Sequence, residues 1–375
     1  MKVGTITTHT ALNYGAVLQA YALCRYIGNQ GLTCEVMDYC PEHVTNSYRL
    51  VTRLRKPSDV PLALFQMLHY RERNERSQRF AAFRNEMLPL SDLRVKNHGE
   101  LIELANTYDL LVCGSDQIWS PVLHQFDEAY FLSFPEIRTR RASYAASFGQ
   151  DEIEASVLPE MRRRLSTISD FACREYTGKK LVEELTGKAA TMVLDPVFLL
   201  SPEEWRRLAK PVEETKPYDL VYFLSNPGKS PFAAKHYAQE QNEKVLSIGF
   251  SPRDARYGVK TLYSLGPQEF LGAIDEAHTV LTNSFHCTAF AILFEKPFYT
   301  RISSQKGSRN DRMISLLKDL GLEDRLYTDD RAMELDFSKE IDYAAVRERL
   351  MKRIDASRGY LESILKCMTE TFESM

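Results

Sequence analysis

Four short runs carry the side chains best suited to chemistry. Asn283-Ser284-Phe285-His286 sets two small polar residues beside an imidazole, a group that gives or takes a proton near neutral pH. Gly114-Ser115-Asp116-Gln117-Ile118-Trp119 combines a permissive backbone and a hydroxyl with a carboxylate able to orient a hydroxyl or act as a base. Such a loop can cradle a phosphate or hold a sugar hydroxyl, and Trp119 either stacks on a sugar or packs. In Asn13-Tyr14-Gly15, the glycine lets backbone approach a ligand closely. Arg174 offers a planar fork for a carboxylate or phosphate, although an ion pair with Glu175 or a surface position would occupy it equally well.

The flanking segments say how these groups are held. Thr279-Val280-Leu281 reads as a short buried strand, and the apolar Ala291-Ile292-Leu293-Phe294 continues a helix that ends at Glu295-Lys296-Pro297. His286 then sits where a strand feeds a helix, the place at which open α/β sheets bind ligands and helical N–H groups attract anions. The competing local reading is a helix cap by Asn283 or Ser284 with a packed histidine beside it. Likewise, Asp116 fits an Asx turn. Cys287 adjoins His286, but adjacent helical residues point in different directions, so the pair is not a nucleophilic dyad and Cys287 is assigned to packing.

Similar strand-to-turn steps recur along the chain. Strands are expected at Val3–Thr7, Thr33–Tyr39, Asp109–Cys113, Arg141–Ala146, Ile168–Cys173, Met192–Leu194, Leu220–Leu224 and Val245–Ile248. Helices are expected from Asn13, over 231–243, over Pro267–Asp275 and over 342–366, with 41–90 largely helical. Pro196, Pro202, Pro211 and Pro217 punctuate a boundary. The expectation is α/β: two Rossmann-like domains facing a cleft, GT-B-like, over residues 1–200 and 201–340, with a C-terminal helix over 341–375.

Composition narrows the function classes. The 375 residues are 44% hydrophobic and 26% charged, which is globular composition. A formal net charge of -3 supplies no basic field for nucleic acid. Seven cysteines without a Cys-x-x-Cys pair argue against a zinc site or disulfide framework and for a reducing compartment, so a cytoplasmic protein is expected. Arg71, Arg73, Arg76, Arg79 and Arg84 alternate with Glu72, Glu75 and Glu86 and read as a solvated helix face. The apolar stretch Pro61–Leu68 beside them leaves room for peripheral membrane contact.

Taken in order, the runs resemble the polysaccharide pyruvyl transferase family. The resemblance lies in Asn13–Leu23, Gly114–Trp119, Ala142–Gly149, Cys173-Arg174-Glu175, Leu194-Asp195-Pro196, Asn283–His286, Pro297-Phe298 and Arg309-Asn310-Asp311-Arg312. It implies a GT-B-like fold and transfer of pyruvate from phosphoenolpyruvate to a sugar as a ketal. It places the family's histidine on His286 and its donor-binding arginine on Arg174, with Asn283, Ser284, Arg309 and Arg312 on the donor side. Asp116 would assist a sugar hydroxyl, and Asn13, Tyr14, Gly15, Gly114, Ser115 and Trp119 would form acceptor or phosphate loops. Some members carry Arg-x-His where this chain has Ser284-Phe285-His286, so Arg309 or Arg312 would have to supply the missing cation. No cofactor or metal is implied. A nucleotide-sugar glycosyltransferase or a non-catalytic glycan- or phosphate-binding protein on the same scaffold are the alternatives.

Overall fold

The computed structural model describes residues 1–41, 50, 59–123, 126–150, 152–214, 217–249, 257–305 and 310–373, with side chains to residue 366. Five parallel strands make the first sheet: β1 (Lys2–Ile6), β2 (Thr33–Tyr39), β3 (Leu90–Val95), β4 (Leu110–Cys113) and β5 (Arg140–Ser143). Their order is β3-β2-β1-β4-β5. All four β4 residues are buried, as expected for a parallel strand covered on both faces. β6 (Phe171–Cys173) and β7 (Ala190–Met192) pair separately, and single bridges from Ala142 to Asp170 and from Ala146 to Cys173 tie them to the end of β5.

The second sheet holds β8 (Tyr218–Tyr222), β9 (Lys244–Ile248), β10 (Lys260–Leu262), β11 (Val280–Thr282), β12 (Phe298–Arg301) and β13 (Leu326–Tyr327). Its order is β10-β9-β8-β11-β12-β13, again parallel throughout. In each sheet the direction of winding reverses once, between β1 and β4 and between β8 and β11. Such switch points open a crevice at the carboxyl ends of the strands. The Asn13 loop follows β1, the Gly114 loop follows β4 and the Asn283 loop follows β11. Three of the four sequence runs therefore emerge at switch points.

One continuous apolar core joins the two halves. Tyr14 stacks on Phe270 with ring centroids 4.2 Å apart and donates its hydroxyl to the Leu265 carbonyl at 2.9 Å. The last helix, Tyr343–Glu373, crosses back to the first sheet. There the Tyr360 hydroxyl donates to the Ser143 carbonyl and the Leu194 amide donates to Ser357 Oγ, both at 2.9 Å. The Asp311–Leu320 helix reaches the same side, since Asp311 accepts from both the hydroxyl and the amide of Thr177.

Most expected elements appear within a residue or three of their expected ends, and Pro267–Asp275 matches at both. Residues 60–68 and 70–87 are helical as expected, while 42–49 and 51–58 lie outside the described residues. β3, β10, β12 and β13 were not expected. β3, β10 and β13 are edge or near-edge strands with polar or short patterns. β12 follows Pro297, which reads locally as a turn but here only ends the preceding segment.

Candidate active site

His286 is the second residue of the helix Phe285–Leu293. The strand β11 ends at Thr282, whose hydroxyl accepts from the Ser284 amide at 2.9 Å and turns the chain. Ser284 then caps the helix, its side chain accepting from the Cys287 amide at 3.4 Å. Asn283 bridges the switch point by accepting from the Leu224 amide and donating to Ser225 Oγ. The capping role allowed by the sequence is thus realised by Ser284, while the histidine beside it is presented to the other domain. A Cβ placed on Gly15 would lie 1.9 Å from His286 Nδ1. Only a glycine permits this approach of the first domain's helix to the imidazole.

Beneath the histidine lies a buried charge network. Asp195, fully buried, accepts from Arg174 Nη1 at 2.6 Å, and His286 Nε2 stands 3.4 Å from the same oxygen. That second contact falls outside hydrogen-bond geometry, so His286 Nε2 has no hydrogen-bond partner among the described residues. Arg174 Nη2 reaches Asp116 at 3.4 Å, and its guanidinium lies 4.4 Å from the centre of the Phe285 ring. Ser115 Oγ sits 2.8 Å from the Ala145 carbonyl and 3.1 Å from Asp195 and donates its one hydrogen between them. Its amide donates to Gln19, and Gln19 in turn donates to Thr7 and the Ala16 carbonyl. Gly114 is needed because a Cβ there would lie 2.2 Å from the Tyr144 carbonyl and its φ is +126°.

The electrostatics follow from burial and neighbours. Burial alone pushes the Asp195 carboxyl up, but His286, Arg174 and the Val197 amide outweigh it and hold it well below the usual range. Asp116 shows the same balance: burial raises it, and Arg174, His286 and Arg312 bring it below its ordinary value. Glu175, beside Arg174, goes the other way because burial dominates there and raises it. Two ionised carboxylates flank one guanidinium, and Arg312 adds further positive charge to the pocket.

The remaining expected residues divide clearly. Asn13 caps the helix Tyr14–Asn29, accepting from the Ala16 amide. Tyr14 is buried in the domain interface described above, so it does not face a cleft surface. Trp119 is fully buried against Phe131, Phe148 and Phe171, which consumes the stacking face considered for a sugar and leaves the packing alternative. Arg312 is buried, its guanidinium 5.9 Å from the centre of the Phe285 ring. Arg309 lies outside the described residues. Cys287 is fully buried and its thiol is pushed up to about 12 by burial, which fits packing rather than nucleophilic chemistry. Asp195 was visible only as part of Leu194-Asp195-Pro196. An aspartate ending an apolar strand was the signal, but its partners are 21 and 91 residues away.

Two doubly wound domains, with their switch points meeting at one histidine and one buried arginine, define a GT-B-like α/β protein. Solved structures of this architecture are similar over nearly the whole chain. One assigned as a UDP-N-acetylglucosamine 2-epimerase of Listeria monocytogenes superposes with a TM-score of 0.58 at 11% identity, covering 100% of this chain and 97% of its own. Another UDP-N-acetylglucosamine 2-epimerase gives 0.55 at 11% identity, covering 97% and 95%. At that identity the likeness concerns the fold. No curated protein sequence matches significantly. The family profile described as polysaccharide pyruvyl transferase matches residues 13–304. The chain belongs to the polysaccharide pyruvyl transferase family, a transferase family.

Proposed function

We propose that this protein transfers pyruvate from phosphoenolpyruvate to two hydroxyls of one sugar, giving a cyclic ketal and inorganic phosphate. One observation carries the reading: His286 Nε2 and Arg174 Nε are buried polar atoms without a hydrogen-bond partner among the described residues, on two side chains that both approach the same Asp195 oxygen. Buried groups of this kind are normally satisfied, and a bound anion would satisfy them. Protonated His286 gives its proton to the methylene carbon of phosphoenolpyruvate, which leaves C2 electrophilic. A sugar hydroxyl adds to C2 and loses its proton, with Asp116 placed to assist. The second hydroxyl displaces phosphate by C–O cleavage; of the two hydroxyl protons released, one leaves with the phosphate and the other returns to His286. Arg174, Arg312 and the helix starting at Phe285 supply positive potential for the donor. Every bond change lies between the two substrates, so no cofactor or metal is assigned to the step.

The test is turnover in deuterated water with phosphoenolpyruvate and a panel of lipid-linked or model glycosides. Solvent deuterium is expected in the ketal methyl group. His286→Gln should lose about 10²–10⁴-fold in turnover. Near-normal turnover by that variant would make the histidine structural.

The acceptor is proposed to be a precursor of a cell-surface polysaccharide or exopolysaccharide, handled in the cytoplasm and on a lipid. Among the described residues no helix is long and apolar enough to cross a membrane. The helix Val60–Leu68 nevertheless exposes Val60, Leu64, Met67 and Leu68, spaced to share one face. Peripheral contact through that face predicts that Leu64→Glu with Leu68→Glu abolishes co-sedimentation with anionic lipid vesicles. Equal sedimentation of variant and wild type would reject the contact.

A further inference from the structure

The opposite end of the second sheet holds a cluster that the proposed reaction does not use. Asp219 lies at the start of β8, Glu243 just before β9 and His278 just before β11. These are three adjacent strands: Tyr218 pairs with Lys244, Leu220 pairs with Val280, and the His278 amide donates to the Tyr218 carbonyl. The topology therefore lines up one residue from each strand along the amino-terminal edge. One ligand atom from each of the three lies within 4.8 Å of the others. His278 Nδ1 and Glu243 Oε2 are 2.8 Å apart.

Asp219 makes the cluster unusual. It is fully buried, and neither carboxylate oxygen has a hydrogen-bond partner among the described residues. The Thr279 hydroxyl and amide lie beside it, close enough to favour its charged form but outside full hydrogen-bond geometry. An isolated buried carboxylate is costly, so such groups pair, bind a metal or become neutral. Burial, followed by the charge of Glu243, pushes Asp219 up to about 7, while His278 and then the Thr279 hydroxyl and amide oppose this. A second group in the chain shows what a satisfied cluster looks like. At His9, Asp38 and Cys40, one Asp38 oxygen takes both His9 Nε2 and the Cys40 thiol, and Arg94 Nε stands 3.2 Å from the other. A guanidinium already occupies the place of a cation there. At Asp219 no arginine or lysine ion pair is found among the described residues.

We propose that Asp219, Glu243 and His278 form a binding site for a divalent first-row transition-metal ion of the zinc class, separate from the active site. Two carboxylate oxygens and one imidazole nitrogen suit such an ion better than calcium or magnesium, which take oxygen ligands. Two carboxylates would neutralise its charge. Metal bonds of about 2.0–2.2 Å require ligand atoms roughly 3–3.5 Å apart, so Asp219 must close by up to about an ångström while the His278–Glu243 pair opens slightly. The ring of Tyr237 stacks over His278 at 6.3 Å and is itself stacked on Phe337, which limits the tilt of the imidazole. The five residues of β8 put the cluster roughly 16 Å from the edge that carries Ser284. Its role would be to staple three strand starts, not to take part in chemistry.

The experiment uses the full chain, stripped with a chelator and titrated with Zn²⁺ against a chromophoric competitor, with thermal melting followed in parallel. One Zn²⁺ per chain and a zinc-dependent rise in Tm are expected. Asp219→Asn and His278→Gln should each weaken zinc binding by more than about tenfold and remove the rise, since even outer-shell partners are worth about 10–100-fold in metal affinity. His278 is partly exposed, so His278→Gln decides the matter if the buried Asp219 variant folds poorly. No zinc binding by the wild type, or equal binding by the variants with zinc held elsewhere, would overturn the assignment.

Discussion

Gly15→Ala tests most directly whether the two domains meet through His286. The added methyl carbon would lie 1.9 Å from Nδ1, 2.3 Å from Cγ and 2.5 Å from Cε1 of the imidazole. Ordinary contact begins near 3.4 Å, so the ring or the helix must give by about 1.5 Å. Two effects oppose each other. Overpacking of this kind costs about 1–3 kcal/mol, whereas replacing a helical glycine by alanine gains up to about 1 kcal/mol. The net expectation is a modest loss of stability. Activity should fall far more, since a misplacement of about 1 Å in a reacting group costs roughly 10²-fold. The assay is phosphate release from phosphoenolpyruvate, with urea denaturation of the same variants. The decisive comparison is the double variant with His286→Ala. Once the ring is gone, Gly15→Ala should become neutral or stabilising by up to about 1 kcal/mol, because only the helical gain remains. If Gly15→Ala is equally destabilising with and without the imidazole, the contact inferred between them is wrong.

Asp195→Asn leaves Arg174 and His286 facing an uncharged amide, and breaking a buried pair should cost about 3–5 kcal/mol in denaturation at pH 7. Asp195 and Asp116 both have folded-state values below the unfolded ones, so their stabilisation is present above about pH 4 and disappears as pH falls below it. The wild type should therefore lose stability on acidification more steeply than Asp195→Asn, and parallel pH profiles would count against the network. Arg174→Lys keeps the charge but cannot hold Asp195 and Asp116 with separate nitrogens. It should weaken phosphoenolpyruvate binding by roughly 1.5–3 kcal/mol in calorimetry, and unchanged affinity would exclude a donor-binding role. Asp219 titrates in the opposite sense to Asp195, since its raised folded value makes the zinc-free protein less stable as pH rises from about 4 to about 7. Asp219→Asn should remove that loss, by up to about 4 kcal/mol at pH 8 without zinc, and a denaturation profile unchanged between pH 5 and 8 would refute it.

Much of the architecture was legible because parallel strands are dense apolar runs and each ends in a marked turn. Leu110–Cys113 followed by Gly114, and Val280–Thr282 followed by Asn283, illustrate this. Edge strands such as Lys260–Leu262 escaped notice because one side of an edge needs no apolar partner, and their residues are exposed or half-buried. The histidine and arginine were also legible, each by its place at a strand end. Their partner Asp195 was not, and neither was the fate of Trp119. A local pattern states what a residue is able to do, while its exposure depends on what the rest of the chain lays over it.

Local sequence by itself determined the sites of most central strands and of the turns and caps that follow them, since backbone geometry and capping act over a few residues. It therefore also determined which polar groups would stand at the carboxyl ends of strands. Only the tertiary structure decided that Gly15 meets His286, 271 positions away, that Asp195 binds Arg174 and that Asp219 is buried beside Glu243 and His278. Those pairings follow from how two sheets and a returning helix close on a shared core, and charge interactions become strong only where that closure excludes water.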